Sequence, residues 1–129
     1  TPHALVKILF DELLQALEAA ALAERNGDRV KVSDKQARAM SILFALESSL
    51  DFDKGGDISV GLAQIYREAR RLLLVGAKER SAEPVDQAID QGAIARHDFV
   101  MWKMPVALPL SKDRSSAPVA GSTSRLMNS

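Results

Sequence analysis

Residues 50–57, Leu50-Asp51-Phe52-Asp53-Lys54-Gly55-Gly56-Asp57, interrupt what would otherwise be one long amphipathic run. Two adjacent glycines tolerate positive φ and weaken a helix interior, so they mark the end of one helix. Asp57 follows where a side-chain oxygen is expected to cap the next helix and where negative charge suits the helix dipole. A break this short folds the flanking helices back as an antiparallel hairpin. The segments on either side read as one more helix each.

Thr1-Pro2 suits a helix start, a hydroxyl cap followed by proline. The first helix is expected to end at Asn26-Gly27, with Val6, Leu9, Phe10, Leu13, Leu17 and Ala20 covering about half its circumference. Ser33 to Gln36 has capping-box spacing, so a second helix is expected from there to Leu50 after an earlier irregular turn. It carries a main stripe of Ala39, Ile42, Leu43, Leu46 and Leu50. A second, narrower stripe of Ala37, Met40 and Phe44 implies either another neighbour in the core or a surface for a partner. The third helix, Asp57 to Ala77, has Ile58, Leu62, Ile65, Tyr66, Ala69, Leu72 and Leu73 on its apolar side. Its cations Arg67, Arg70, Arg71 and Lys78 read as a solvated face. Pro84 is tolerated only in a first turn, which starts the fourth helix at about Glu83; Trp102 and Lys103 close it.

The chain of 129 residues is sized for one core. The expected architecture is all-α: an antiparallel four-helix bundle over residues 1–104, followed by a Pro/Ser-rich tail over 105–129. Seventeen basic residues balance seventeen acidic ones, which argues against nucleic acid or an anionic membrane as partner. No apolar run reaches the roughly 18–20 residues of a membrane span, and no secretory signal is visible. Absence of cysteine excludes disulfides and thiolate metal sites. A di-metal bundle would need Glu-x-x-His pairs, but the two histidines are His3 and His97, and Ile94 precedes the latter by three. No glycine-rich phosphate cradle occurs, and Asp51 and Asp53 read as loop and cap residues. No cofactor is expected, and nothing points to an enzyme.

Three blocks resemble the FliS-type flagellar export chaperones. Thr1-Pro2 through Leu9-Phe10-Asp11 is similar to the family's Ser/Thr-Pro and Leu-Tyr-Asp, with Phe10 replacing the tyrosine. Leu50-Asp51-Phe52-Asp53-Lys54-Gly55-Gly56-Asp57-Ile58 is close to Leu-Asp-x-x-x-Gly-Gly-x-Ile, the most specific block. Leu62 to Tyr66 with Arg70 to Leu73 resembles the family's Leu-x-x-Leu-Tyr helix, and Trp102 matches a tryptophan that often ends its last helix. The resemblance implies a cytoplasmic chaperone that binds the disordered C-terminal segment of flagellin, prevents premature polymerisation and assists type III export, with the flagellar export machinery as a further partner. Partner contacts are expected at Phe44, Leu46, Leu50, Ile58, Leu62, Ile65 and Tyr66. Coupled folding of an amphipathic client onto a helical groove is the physics this requires. The alternative is a helical adaptor or dimerisation module unrelated to flagellin. Val106 to Leu110, the tail's apolar portion, is expected to lie in a groove of its own or a neighbouring bundle, a route to self-association.

Overall fold

A computed structural model describes residues 3–103, and within them every element is helical. Helix α1 spans His3–Asn26, α2 Arg29–Ser48, α4 Asp57–Glu79 and α5 Ala82–Lys103; a single turn, α3, spans Phe52–Gly55. The expectations for Thr1-Pro2 and for the tail fall outside the described residues.

Helix α1 ends where the N–H groups of Gly27 and Asp28 return to the carbonyls of Glu24 (3.2 Å) and Ala23 (3.0 Å), satisfying carbonyls the helix leaves free. Asp28 then caps α2, its carboxylate accepting from the Lys31 N–H at 3.1 Å. The second helix therefore begins at Arg29, not after an irregular turn at Ser33. Asp28 already stands at the end of the preceding turn, and the earlier start buries Val32 while Ser33 faces solvent.

The joint between α2 and α4 is more structured than a plain break. Asp51 caps α3, its Oδ1 accepting from the N–H groups of Asp53 (3.1 Å) and Lys54 (3.0 Å). The two glycines serve different ends. Gly56 has φ +49° and ψ −122°, which a side chain strains against. Gly55 is needed for space: a Cβ there would lie 2.1 Å from the Ser59 Oγ. That buried hydroxyl donates to the Asp51 carbonyl at 2.9 Å and pins the start of α4 to the entry of the turn. Asp57 is the first residue of α4 rather than its cap. Gly56 holds the cap position without a side chain, and Asp57 contributes only negative charge to the first turn.

Each long helix lies against two others. Helix α1 packs on α2 and α5, and α4 packs on α5 and α2, so α1 and α4 are diagonal. Asp11–Arg96 and Arg25–Asp86 pair the start of α1 with the end of α5 and the reverse, as antiparallel neighbours must. Across the diagonal the rings of Phe10 and Tyr66 meet at 6.2 Å, and Phe10 also lies 5.7 Å from Phe99. Phe10, Leu13, Leu17, Leu43, Leu46 and Leu73 are essentially inaccessible. Truncating such a leucine to alanine typically costs about 2–5 kcal/mol, against roughly 0–1 kcal/mol for an exposed ion pair. The aliphatic and aromatic core therefore holds the bundle, and the ion pairs trim its register.

Gly55→Ala and Gly56→Ala are each expected to lower unfolding free energy by roughly 1–3 kcal/mol in urea titrations. Adding Ser59→Ala should recover part of the Gly55→Ala loss and none of the Gly56→Ala loss, because only the former is a steric conflict with that side chain.

Candidate partner-binding face

The seven residues expected to contact a partner do not form one open surface. Leu46, Leu62 and Tyr66 are core residues, at 0%, 3% and 1% exposure. Leu50, Ile58 and Ile65 are half-buried against that core. Phe44 is 54% exposed. Helix periodicity separates them: positions facing the bundle axis are closed by their neighbours, whereas Phe44 lies on the opposite side of α2 from Leu43 and Leu46.

The second stripe of α2 belongs to the surface. Ala37 and Phe44 are exposed, and Met40 is half-buried at its edge. Ser41, Ala45 and Ser48 share that outward face, at i, i+4, i+7, i+8 and i+11 counted from Ala37. None carries a charge. An exposed helix face made of small neutral residues around one phenylalanine gains little from water and leaves room for another helix to approach closely. It is the kind of patch that marks a protein interface. The sequence signal for it was available: Ala39 to Leu46 is a run without a charged residue, including the positions that face outward.

Phe44 is held in place. The Arg70 guanidinium sits 4.6 Å from its ring centroid, and the same group donates to Glu47 one turn along α2. Arg67 lies 3.7 Å from the other Glu47 oxygen. Arg70 is thus half-buried and bound at the α2–α4 seam, unlike the solvated cation expected from sequence, whereas Arg67, Arg71 and Lys78 are exposed. A guanidinium stacked on an aromatic face and held by a carboxylate restrains the ring's rotamers, which reduces the entropy a partner must remove. One turn beyond Arg70, Leu74 is also exposed and extends the apolar surface along α4.

At the end of the bundle where α1 begins and α5 ends, a cavity of about 180 Å³ opens. Val6, Leu50, Leu62, Tyr66, Phe99 and Trp102 line it, so three of the seven expected residues meet there. His3 stacks on Phe99 at 5.1 Å and forms part of the same wall. Burial pushes the Tyr66 hydroxyl's pKa up, and the nearby Glu47 charge adds to it. Among the described residues no cluster of histidine and carboxylate side chains is arranged to hold a metal ion. No helix there is long and apolar enough to cross a membrane.

The family model for the flagellar protein FliS matches residues 1–99. This chain belongs to the FliS family. It is 32% identical over 88 residues to the flagellar secretion chaperone FliS of Salmonella typhimurium, covering 67% of this chain and 65% of that protein. It is 26% identical over 90 residues to the FliS of Campylobacter jejuni, covering 70% of each. The chain thus spans just under two thirds of the Salmonella protein's length. The family match includes the helical joint, all of α2 and α4, and most of α5.

Tyr66 is the chain's single tyrosine, so its titration can be read by ultraviolet absorbance without overlap. Its folded pKa lies above the unfolded value. The stability it contributes is therefore complete below the ordinary tyrosine range and is lost as pH rises beyond about 10, where the unfolded chain releases the proton first. Stability measured across that range should fall less in Tyr66→Phe than in the parent, and the native absorbance change should coincide with unfolding.

Proposed function

We propose that this protein is a flagellar export chaperone that keeps a flagellin subunit from polymerising early by holding its C-terminal segment and presents it to the export machinery. Membership of the FliS family supports the class, and the names of the Salmonella and Campylobacter relatives agree with it. The observation that carries the reading is the uncharged outward face of α2 around Phe44. Such a face offers an amphipathic segment a place to fold, burying its apolar stripe against Ala37, Phe44 and Ala45 while Arg67 and Arg70 bound the site. Phe44 touches the client directly. Leu50, Ile58 and Ile65 supply half-buried apolar edges, and Leu46, Leu62 and Tyr66 act from behind by fixing the helices that carry the surface. A net charge of zero and a neutral binding face favour a protein client over a nucleic acid. Action in the cytoplasm, before export, is part of the same reading.

Calorimetric titration with the C-terminal segment of its own organism's flagellin is expected to show one-to-one binding with a negative heat-capacity change and a gain of helix by circular dichroism. Phe44→Asp should weaken that binding about tenfold or more, roughly 1.4 kcal/mol, with unfolding free energy almost unchanged because the side chain is exposed. Leu46→Ala should instead lower stability by about 2–5 kcal/mol. Absence of heat and helix gain, together with a mass that grows with concentration, would replace this reading with a self-associating helical adaptor.

A further inference from the structure

Within the described helices, Arg67 is the arginine without a carboxylate of its own. Arg70 donates to Glu47 Oε1 at 2.5 Å, while Arg67 stands 3.7 Å from Oε2 of the same side chain, too far for a hydrogen bond. Every other arginine in these helices pairs with a separate carboxylate, as Arg71 does with Glu68 and Arg38 with Glu12. The two partners of Glu47 also differ in access: the Arg70 side chain is 15% exposed and that of Arg67 is 58% exposed. Arg70 is therefore committed to the seam between α2 and α4, and Arg67 keeps its donors in solvent.

Arg67 stands where the uncharged face of α2 meets α4. Arg70, whose guanidinium covers the Phe44 ring at 4.6 Å, is three residues away. Arg67 thus lies about one helical turn farther along the seam from Phe44, at the Glu47 end of the face. Arg67, Arg70 and Arg71 share one turn of α4 and face two carboxylates, Glu47 and Glu68. One positive charge is left over beside a face that carries none. Like charges at i, i+3 and i+4 repel on a helix, so the spare cation gains nothing from the fold. A guanidinium presents two parallel N–H donors that match a carboxylate, and arginine is enriched in protein interfaces.

We propose that the segment docking on the outward face of α2 carries an aspartate or glutamate that forks to Arg67, one helical turn from the apolar side chain that covers Phe44. The ion pair fixes which way the segment lies along α2 and selects clients with an acidic residue at that spacing. This pairing presupposes that the α2 face is the client site. It lies at the rim, within reach of water, and so acts on recognition and association rate more than on affinity.

The probe is the C-terminal segment of the organism's own flagellin, titrated by calorimetry and stopped-flow fluorescence at low and high salt. Arg67→Gln should weaken binding about threefold to tenfold, chiefly through slower association, and remove part of its salt dependence. Thermal unfolding of this variant should match the parent, because the side chain is mostly in solvent. Arg67→Glu should weaken binding further. When the segment's acidic residues are changed to lysine one at a time, one such segment should bind Arg67→Glu more tightly than the unaltered segment does. Binding weakened by Phe44→Asp but left unchanged by Arg67→Glu at both salts would overturn the proposal and leave the α2 face standing. A loss in Arg67→Glu that no lysine restores would also overturn it. Binding that neither substitution changes, or no binding by the parent, would overturn the reading of the α2 face and this pairing with it.

Discussion

The two helical hairpins of this bundle, α1–α2 and α4–α5, are each closed by short local connections; they share one core through the packing of α1 on α5, and the joint at residues 49–56 sets how α2 meets α4. There the Ser59 hydroxyl holds the Asp51 carbonyl while Gly55 leaves it the room to do so. The contact spans a whole helical turn, so it sets how far along α4 the end of α2 arrives. That register brings Glu47 beside Arg67 and Arg70, places Phe44 under the Arg70 guanidinium, and allows Phe10 to reach Tyr66 across the diagonal. A slip at the joint would separate all of these at once. This is the physical reason for a Gly-Gly pair where the geometry of a single helix end would need one glycine.

Helix α2 is used on both sides. Its inner face contributes Ala39, Ile42, Leu43 and Leu46 to the core, and its outer face presents small neutral residues around Phe44. The stretch of α2 from Ala39 to Leu46 is uncharged all round, and such a stretch is ordinarily buried all round. Here one side is left to solvent, and the Arg70–Glu47 pair beside it costs little to maintain because the guanidinium is also stacked on the ring. The exposed face contributes little to folding, as Phe44 is more than half accessible. In the proposed chaperone, stability and client binding are thereby assigned to different sides of one helix.

Much of the fold was legible in the sequence. Helical periodicity separated Val6, Phe10, Leu13 and Leu17 from Lys7 and Asp11, and the long helices fall close to where punctuation by Gly27, Gly55-Gly56 and Pro84 put them. Errors arose where two local signals competed. Ser33 has the spacing of a cap, but Asp28 takes that position in the structure, and burial of Val32 favours the earlier start. Asp57 looked like a cap, but the backbone bend at Gly56 took that position. The single turn α3 is too short for periodicity to register. The site was less legible, because an apolar stripe says that a residue prefers to leave water without saying whether the core or a partner will cover it. Leu46, Leu62 and Tyr66 proved to be core residues, whereas the uncharged run from Ala39 to Leu46 was the better guide to the open face.

The central claim is that the outward face of α2 is where the client docks. Cross-saturation nuclear magnetic resonance tests it most directly, by irradiating a protonated flagellin C-terminal segment bound to deuterated chaperone. The account predicts the largest signal losses at the amides of Ala37, Ser41, Phe44, Ala45 and Ser48, with the Ile94 side of α5 unaffected. Losses concentrated around Ile94 and Met101, with α2 untouched, would contradict it.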